Sequence, residues 1–252
     1  MQFRASALLM VALTAASIFA PTAFIPAALI STAWAQSAPD PTAPGLSDGE
    51  RLDVLLARVQ HEQQAMKALS ARFTMHQESE MLLEPEESTG DFSYLAPDRA
   101  RWDYENPNPI TVVVRKGEML TWYRDLQRAE RAKVGRYSDR ILQYMSASSS
   151  LEDLLEYFNA RVSFERLGEV PYRIVLTPNV DRIARRLASM TLWIDPQLYL
   201  PQKVRIEAAD GDVTEFQFEN LEINPDLEAA RFQLELPAEV EVTTVDLSQG
   251  TR

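Results

Sequence analysis

The sequence has no cysteine. That excludes a disulfide-held scaffold, a thiolate metal site, a cysteine nucleophile and an N-terminal lipid-modified cysteine. Histidine is nearly absent as well. His61 sits beside Glu62 on a helical stretch and His76 on the polar parity of a strand, with no H-x-x-x-H spacing. Both read as surface residues, and a metal site is not expected. Glycine is scarce, at 8 of 252 residues. No P-loop, G-x-G-x-x-G or G-x-S-x-G occurs, so phosphate cradles and a nucleophile elbow are absent. Basic charge is outweighed: the formal net charge is −12, against the basic face that nucleic acid requires. Carboxylates are plentiful, but Glu84, Glu86 and Glu87 form a loop cluster, and Glu215 and Glu219 lie on polar strand positions. None is singled out as a general acid with a raised pKa. No catalytic residue, cofactor or metal ligand is therefore assigned.

The single long apolar run is at the N-terminus. Arg4 supplies a short positive region, residues 5–20 are apolar, and Ala33-Trp34-Ala35 precedes Gln36. This is the pattern of an export signal cleaved near Ala35, and with no cysteine to carry a lipid the exported protein is free to diffuse. An uncleaved membrane anchor is the competing reading. Pro21, Pro26 and the lack of a charged flank oppose it. Residues 1–35 are thus expected to be a signal peptide, 36–46 a flexible Pro/Ala/Ser linker, and 47–252 one domain.

Apolar periodicity orders the rest. Leu52, Leu55, Leu56, Val59, Met66 and Leu69 recur at helical spacing after a capping Ser47 or Asp48. A strand follows over 70–83, with Phe73 and Met75 on one parity. Residues 90–123 then predict four short antiparallel strands. Phe92 and Tyr94, then Trp102 and Tyr104, alternate with polar residues; Val112 and Val114 follow, then Leu120 and Trp122. These are expected to build one aromatic face, with Arg99, Arg101 and Asp103 on the other. Residues 127–134 read as an edge strand. Two short amphipathic helices follow, one bearing Leu142 and Met145, the other Leu154 and Phe158, with a serine-rich hinge between. They serve either as a plug on one end of the sheet or as a movable lid. Strands resume at 161–167, 172–177, 190–194, 200–207, 213–221 and 240–242, giving ten or eleven in all.

Several strands carry large apolar groups on both parities: Met119 and Tyr123 oppose Leu120 and Trp122, and Trp193 opposes Leu192 and Ile194. Either the chain packs a solid core with helix contacts, or one face lines a hollow suited to acyl chains.

The order of motifs resembles the periplasmic lipoprotein carrier family, LolA. The helix is followed by Ala71-x-Phe73-x-x-x-Gln77. Then come Gly90-x-Phe92-x-Tyr94-x-x-Pro97, Trp102-x-Tyr104 and Gly117-x-x-Leu120-x-Trp122-Tyr123. Leu176-Thr177-Pro178, Leu192-x-Ile194-Asp195, Leu200-Pro201, Asp210-Gly211, Phe218-x-Asn220 and Phe232 to Pro237 follow in family order. The resemblance implies a mainly β fold with α: an open, incomplete antiparallel β-barrel of about 11 strands with an N-terminal helix and a helical lid. It implies a monomeric carrier that shields the acyl chains of lipoproteins or lipids. Its partners would be an inner-membrane lipoprotein-releasing transporter and an outer-membrane acceptor. The implied cavity lining is Phe73, Met75, Phe92, Tyr94, Trp102, Tyr104, Leu120, Trp122, Leu192 and Ile194. The implied lid residues are Leu142, Met145, Leu154 and Phe158. The family has an arginine before the proline of this segment that ties the lid; here Ala96 stands there, and latching would pass to Arg99 or Arg101. Two other classes stay open. One is a lipid- or lipoprotein-sensing regulator of the RseB kind, which usually has a second domain; the other is a lipid hydrolase with an unrecognised nucleophile. Carriage of another amphiphilic lipid is a variant of the first reading.

Overall fold

The computed structural model describes residues 38–80, 82, 84–133 and 155–245. The export signal and the residues Leu142, Met145 and Leu154 lie outside them. A helix, α1 (Asp48–Ala65), precedes twelve strands. These are β1 (Ala68–Glu78), β2 (Glu86–Leu95), β3 (Arg99–Asn106), β4 (Ile110–Arg115), β5 (Glu118–Tyr123) and β6 (Arg128–Lys133). The second half holds β7 (Phe158–Ser163), β8 (Tyr172–Pro178), the short α2 (Asp181–Ala184), β9 (Leu187–Ile194), β10 (Pro201–Ala208), β11 (Val213–Ile223) and β12 (Glu241–Val245).

All twelve strands join one sheet in the order β12-β6-β5-β4-β3-β2-β1-β11-β10-β9-β8-β7. Every pairing is antiparallel except β12 with β6. The two edges, β12 and β7, do not pair with each other, so the barrel is open. Short turns explain the meanders. Lys116 and Gly117, both at positive φ, close the β4–β5 hairpin with Arg115 opposite Glu118. Such a two-residue turn fits the twist of the strands it joins.

One face of the sheet carries a continuous apolar cluster from β5 to β7, closed at one side by α1 through Leu55, Leu56 and Val59. A single open sheet can bury residues from distant strands in one cluster only if it curls, so this is the inner face. Ser47 starts α1 with a capping box: its Oγ accepts from the Glu50 N–H at 3.4 Å, and Glu50 Oε2 accepts from the Ser47 N–H at 2.9 Å. The helix ends at Ala65, earlier than its apolar pattern suggests. Asn224 Oδ1 accepts from the N–H groups of Lys67 (2.6 Å) and Ala68 (3.2 Å), drawing the chain into the β1 ladder.

Three expectations are corrected here. The stretch before α1 is not a free linker. Arg51, buried on α1, donates to the carbonyls of Pro41, Ala43 (3.4 Å) and Leu46 (3.2 Å), which pins residues 41–46 to the helix. Strand β6 is not an edge. After β11 the chain crosses the outer face, where the 3-10 turn Ala229–Phe232 packs on β3 and β4. Having crossed the sheet, the chain reaches β6 running alongside it, hence the parallel pairing. Phe158 is not helical either. It opens β7 opposite Pro178, and the Asn179 N–H donates to the Tyr157 carbonyl at 2.9 Å, so the β7–β8 ladder reaches back over this residue.

Candidate functional site

Directly opposed residues of a sheet share a face, so the ladder register assigns each candidate. Phe73 faces Gly90 on β2 and Phe218 on β11; Gly90 faces Tyr104; Phe92 faces Trp102. Tyr94 faces Ala100, and Leu192 faces Val204 and Ile174. Ile194 faces Tyr172, and Met75 faces Phe216. Phe73, Met75, Phe92, Tyr94, Trp102, Tyr104, Leu192 and Ile194 all lie in the inner cluster and are buried.

Rings dominate its middle. Phe73 meets Tyr104 edge-on with centroids 4.9 Å apart, and Phe92 packs at a tilt on Trp102 at 5.0 Å. Phe216 lies 6.0 Å from Phe73, and Phe218 lies 5.9 Å from Phe92. Gly90 makes room for this group. A Cβ there would stand 2.1 Å from the Asp103 carbonyl oxygen and 2.9 Å from Phe73 Cζ. Beyond β11 the lining is mainly Val204, Met190, Leu192, Ile194, Ile174 and Leu176, with Tyr172, Tyr199 and Phe158 as its aromatic members. Burial pushes the Tyr94 phenol up to about 12, with Asp98 adding to the shift. Burial likewise raises Tyr104, with Tyr123 adding to it. These phenols stay neutral at any physiological pH.

Leu120 and Trp122 do not belong to this face. Because Arg115 opposes Glu118, the even positions Val112 and Val114 oppose the odd positions Thr121 and Met119. Met119, Thr121 and Tyr123 therefore point inward and are buried. Leu120 opposes Val113 and Trp122 opposes Thr111 on the outer face, where Arg124 lies over the Trp122 ring at 5.3 Å. The inner residues that sequence reasoning missed on this strand were legible in its turn. A two-residue hairpin makes opposed positions differ in parity.

The proposed latch is also displaced. Strict alternation on β3 sends Arg99 and Arg101 outward. Arg101 holds Asp103 with Nε to Oδ2 at 2.5 Å and Nη2 to Oδ1 at 2.8 Å. Its Nη1 donates to the Arg231 carbonyl at 2.7 Å, and Arg231 Nε donates to Ser93 Oγ at 3.1 Å. Arg101 thus fastens the crossing C-terminal segment to the sheet. Burial alone would raise the Asp103 carboxyl. The hydrogen bond and charge of Arg101, with Thr111 (2.9 Å) and Arg124, hold it below the usual carboxylate range instead.

Among the described residues no group of three or more His, Asp or Glu is placed to hold a metal ion. No described helix is long and apolar enough to cross a membrane. What the site offers chemically is a broad, mainly apolar surface on a curled open sheet.

The family model for the outer membrane lipoprotein carrier protein LolA matches residues 64–235, from the end of α1 past the crossing turn. The chain belongs to the LolA family. The outer-membrane lipoprotein carrier protein of Alkalilimnicola ehrlichii is 30% identical over 183 residues, covering 69% of this chain and 77% of the relative. That of Halorhodospira halophila is 28% identical over 187 residues, covering 72% and 80%. Among solved structures, an uncharacterized conserved protein from Thermus thermophilus shares the fold with a TM-score of 0.50 at 14% identity, over 77% of this chain and 99% of that one. Membership places the chain in the periplasm, in a superfamily of lipid- and lipoprotein-binding carriers rather than of catalysts.

Proposed function

We propose that this LolA-family chain shields lipoprotein acyl chains against the inner face of its open sheet and moves them from the inner to the outer membrane. The observation that carries the reading is the broad apolar inner face, rich in aromatic and Met side chains, on a sheet whose edges do not close. Burial of each methylene gains about 0.8 kcal/mol, so a sixteen-carbon chain left in water costs roughly 12 kcal/mol. A lipoprotein with several such chains needs a cover to cross an aqueous compartment. Phe73, Met75, Phe92, Tyr94, Trp102, Tyr104, Leu192 and Ile194 supply it. The face is closed in the structure, so loading parts it, and the apolar stripe of α1 competes with cargo for the same surface. That competition favours release. The donor is an inner-membrane lipoprotein-releasing transporter and the recipient an outer-membrane acceptor. The mature chain starts at Gln36.

Spheroplasts incubated with the mature protein test this. An outer-membrane lipoprotein should appear in the supernatant, co-eluting with the protein. If nothing is released while a free fluorescent acyl probe still binds, the chain carries some other amphiphile. If the probe does not bind either, the inner face is only a core.

A further inference from the structure

The inner face is not apolar throughout. On β5 and β6, Thr121 and Glu130 stand directly opposite one another and are 2% and 3% exposed. The Tyr123 hydroxyl donates to Glu130 Oε2 at 3.4 Å, and Arg128, at the exposed rim, donates to Oε1. Burial keeps Tyr123 protonated, and the Glu130 charge adds to this. Thr121 Oγ1 is buried with no hydrogen-bond partner. Its surroundings on the same face are Val112, Met119 and Ala132. A buried hydroxyl left unpaired is destabilising, and valine would fill the same space without that cost. A carboxylate offers roughly four acceptor positions. Within the protein Arg128 and Tyr123 use one on each Glu130 oxygen.

We infer that Thr121 and Glu130 form a polar subsite that takes a hydroxyl group carried by an otherwise apolar cargo. Opposed side chains on neighbouring strands stand about 5 Å apart at Cβ, a span that one oxygen can bridge. A hydroxyl donates to the Glu130 carboxylate and accepts from Thr121 Oγ1–H, completing both. A methylene chain satisfies neither. An ester carbonyl only accepts, so it serves Thr121 alone; an ammonium only donates, so it leaves the Thr121 proton unmatched. The subsite thus selects among acyl cargoes by a feature that the aromatic lining cannot read. It rests on the reading of the inner face as the cargo surface.

The test is displacement of a fluorescent acyl probe from the full mature protein by stearate, 3-hydroxystearate and 12-hydroxystearate. At least one hydroxy acid should displace the probe at about tenfold lower concentration than stearate, the size expected for one or two buried hydrogen bonds. A hydroxyl weakens the hydrophobic drive, so such a preference cannot come from apolarity. Thr121→Val should bring the ratio close to one, with the melting temperature unchanged or raised. Glu130→Gln should reduce the ratio as well. Hydroxy acids no better than stearate on the wild type, or a ratio unaltered in Thr121→Val, would overturn the subsite while leaving the carrier reading intact. If stearate itself fails to displace the probe, both fall.

Discussion

Gly90→Ala is the substitution whose effect the structure fixes most tightly. The added Cβ would lie 2.1 Å from the Asp103 carbonyl oxygen, 2.9 Å from its carbon and 2.9 Å from Phe73 Cζ. Contact needs more than 3 Å, so the neighbour must retreat by close to 1 Å. Phe73 cannot simply swing away, since Tyr104 and Phe216 hold its ring on two sides. The carbonyl cannot retreat without parting β2 from β3. Overpacking a well-filled core costs about 1–3 kcal/mol, and a backbone clash belongs at the upper end. At roughly 2–4 °C per kcal/mol for a domain of this size, the melting temperature should fall by about 6–12 °C. Urea unfolding followed by Trp fluorescence gives the same quantity from the midpoint. The double variant Phe73→Leu/Gly90→Ala separates the two contacts. It relieves the ring but not the carbonyl, so it should remain at least as unstable as Gly90→Ala. Full rescue by Phe73→Leu, or a melting temperature of Gly90→Ala within about 2 °C of wild type, would show that the backbone contact does not govern this position.

The two parities of β5 should respond differently to charge. Met119→Glu puts an unpaired carboxylate on the inner face and should cost about 3–5 kcal/mol, whereas Leu120→Glu, half-buried on the outer face, should cost about 1 kcal/mol and leave acyl-probe binding intact; equal losses would refute the register. Arg51→Ala removes the clamp on residues 41–46, and the loss of charged hydrogen bonds should destabilise by roughly 2 kcal/mol, with faster proteolytic cutting before α1 as the direct readout. Asp103 has a folded pKa below its ordinary value of 3.8, so its stabilisation is complete above that value and drains away as pH falls through the lower, folded one. Asp103→Asn should lower stability at neutral pH and flatten the acid limb of a melting-temperature profile; an unchanged limb would show that another carboxylate governs it.

The sequence alone determined the strand faces within each strand, because period-two alternation is a local property. Phe73 with Met75, Phe92 with Tyr94 and Trp102 with Tyr104 were each assigned to one side from their own neighbours. It also determined the family, since the order of short motifs survives where no single motif is specific, and it excluded thiol chemistry outright. What it left undecided was how faces join across turns. Carrying parity unchanged through Lys116-Gly117 put Leu120 and Trp122 with Trp102, and the two-residue hairpin reverses it. The same alternation that placed Trp102 inward already sent Arg99 and Arg101 outward, away from any lid over the inner face. Only the tertiary structure brought Arg101 against Arg231 and β12 alongside β6. Only it set Thr121 opposite Glu130. These are contacts between segments far apart in the chain, or positions fixed by register, and each depends on how the whole sheet curls. Side-chain alternation is written residue by residue; the pairing that gives it meaning is not.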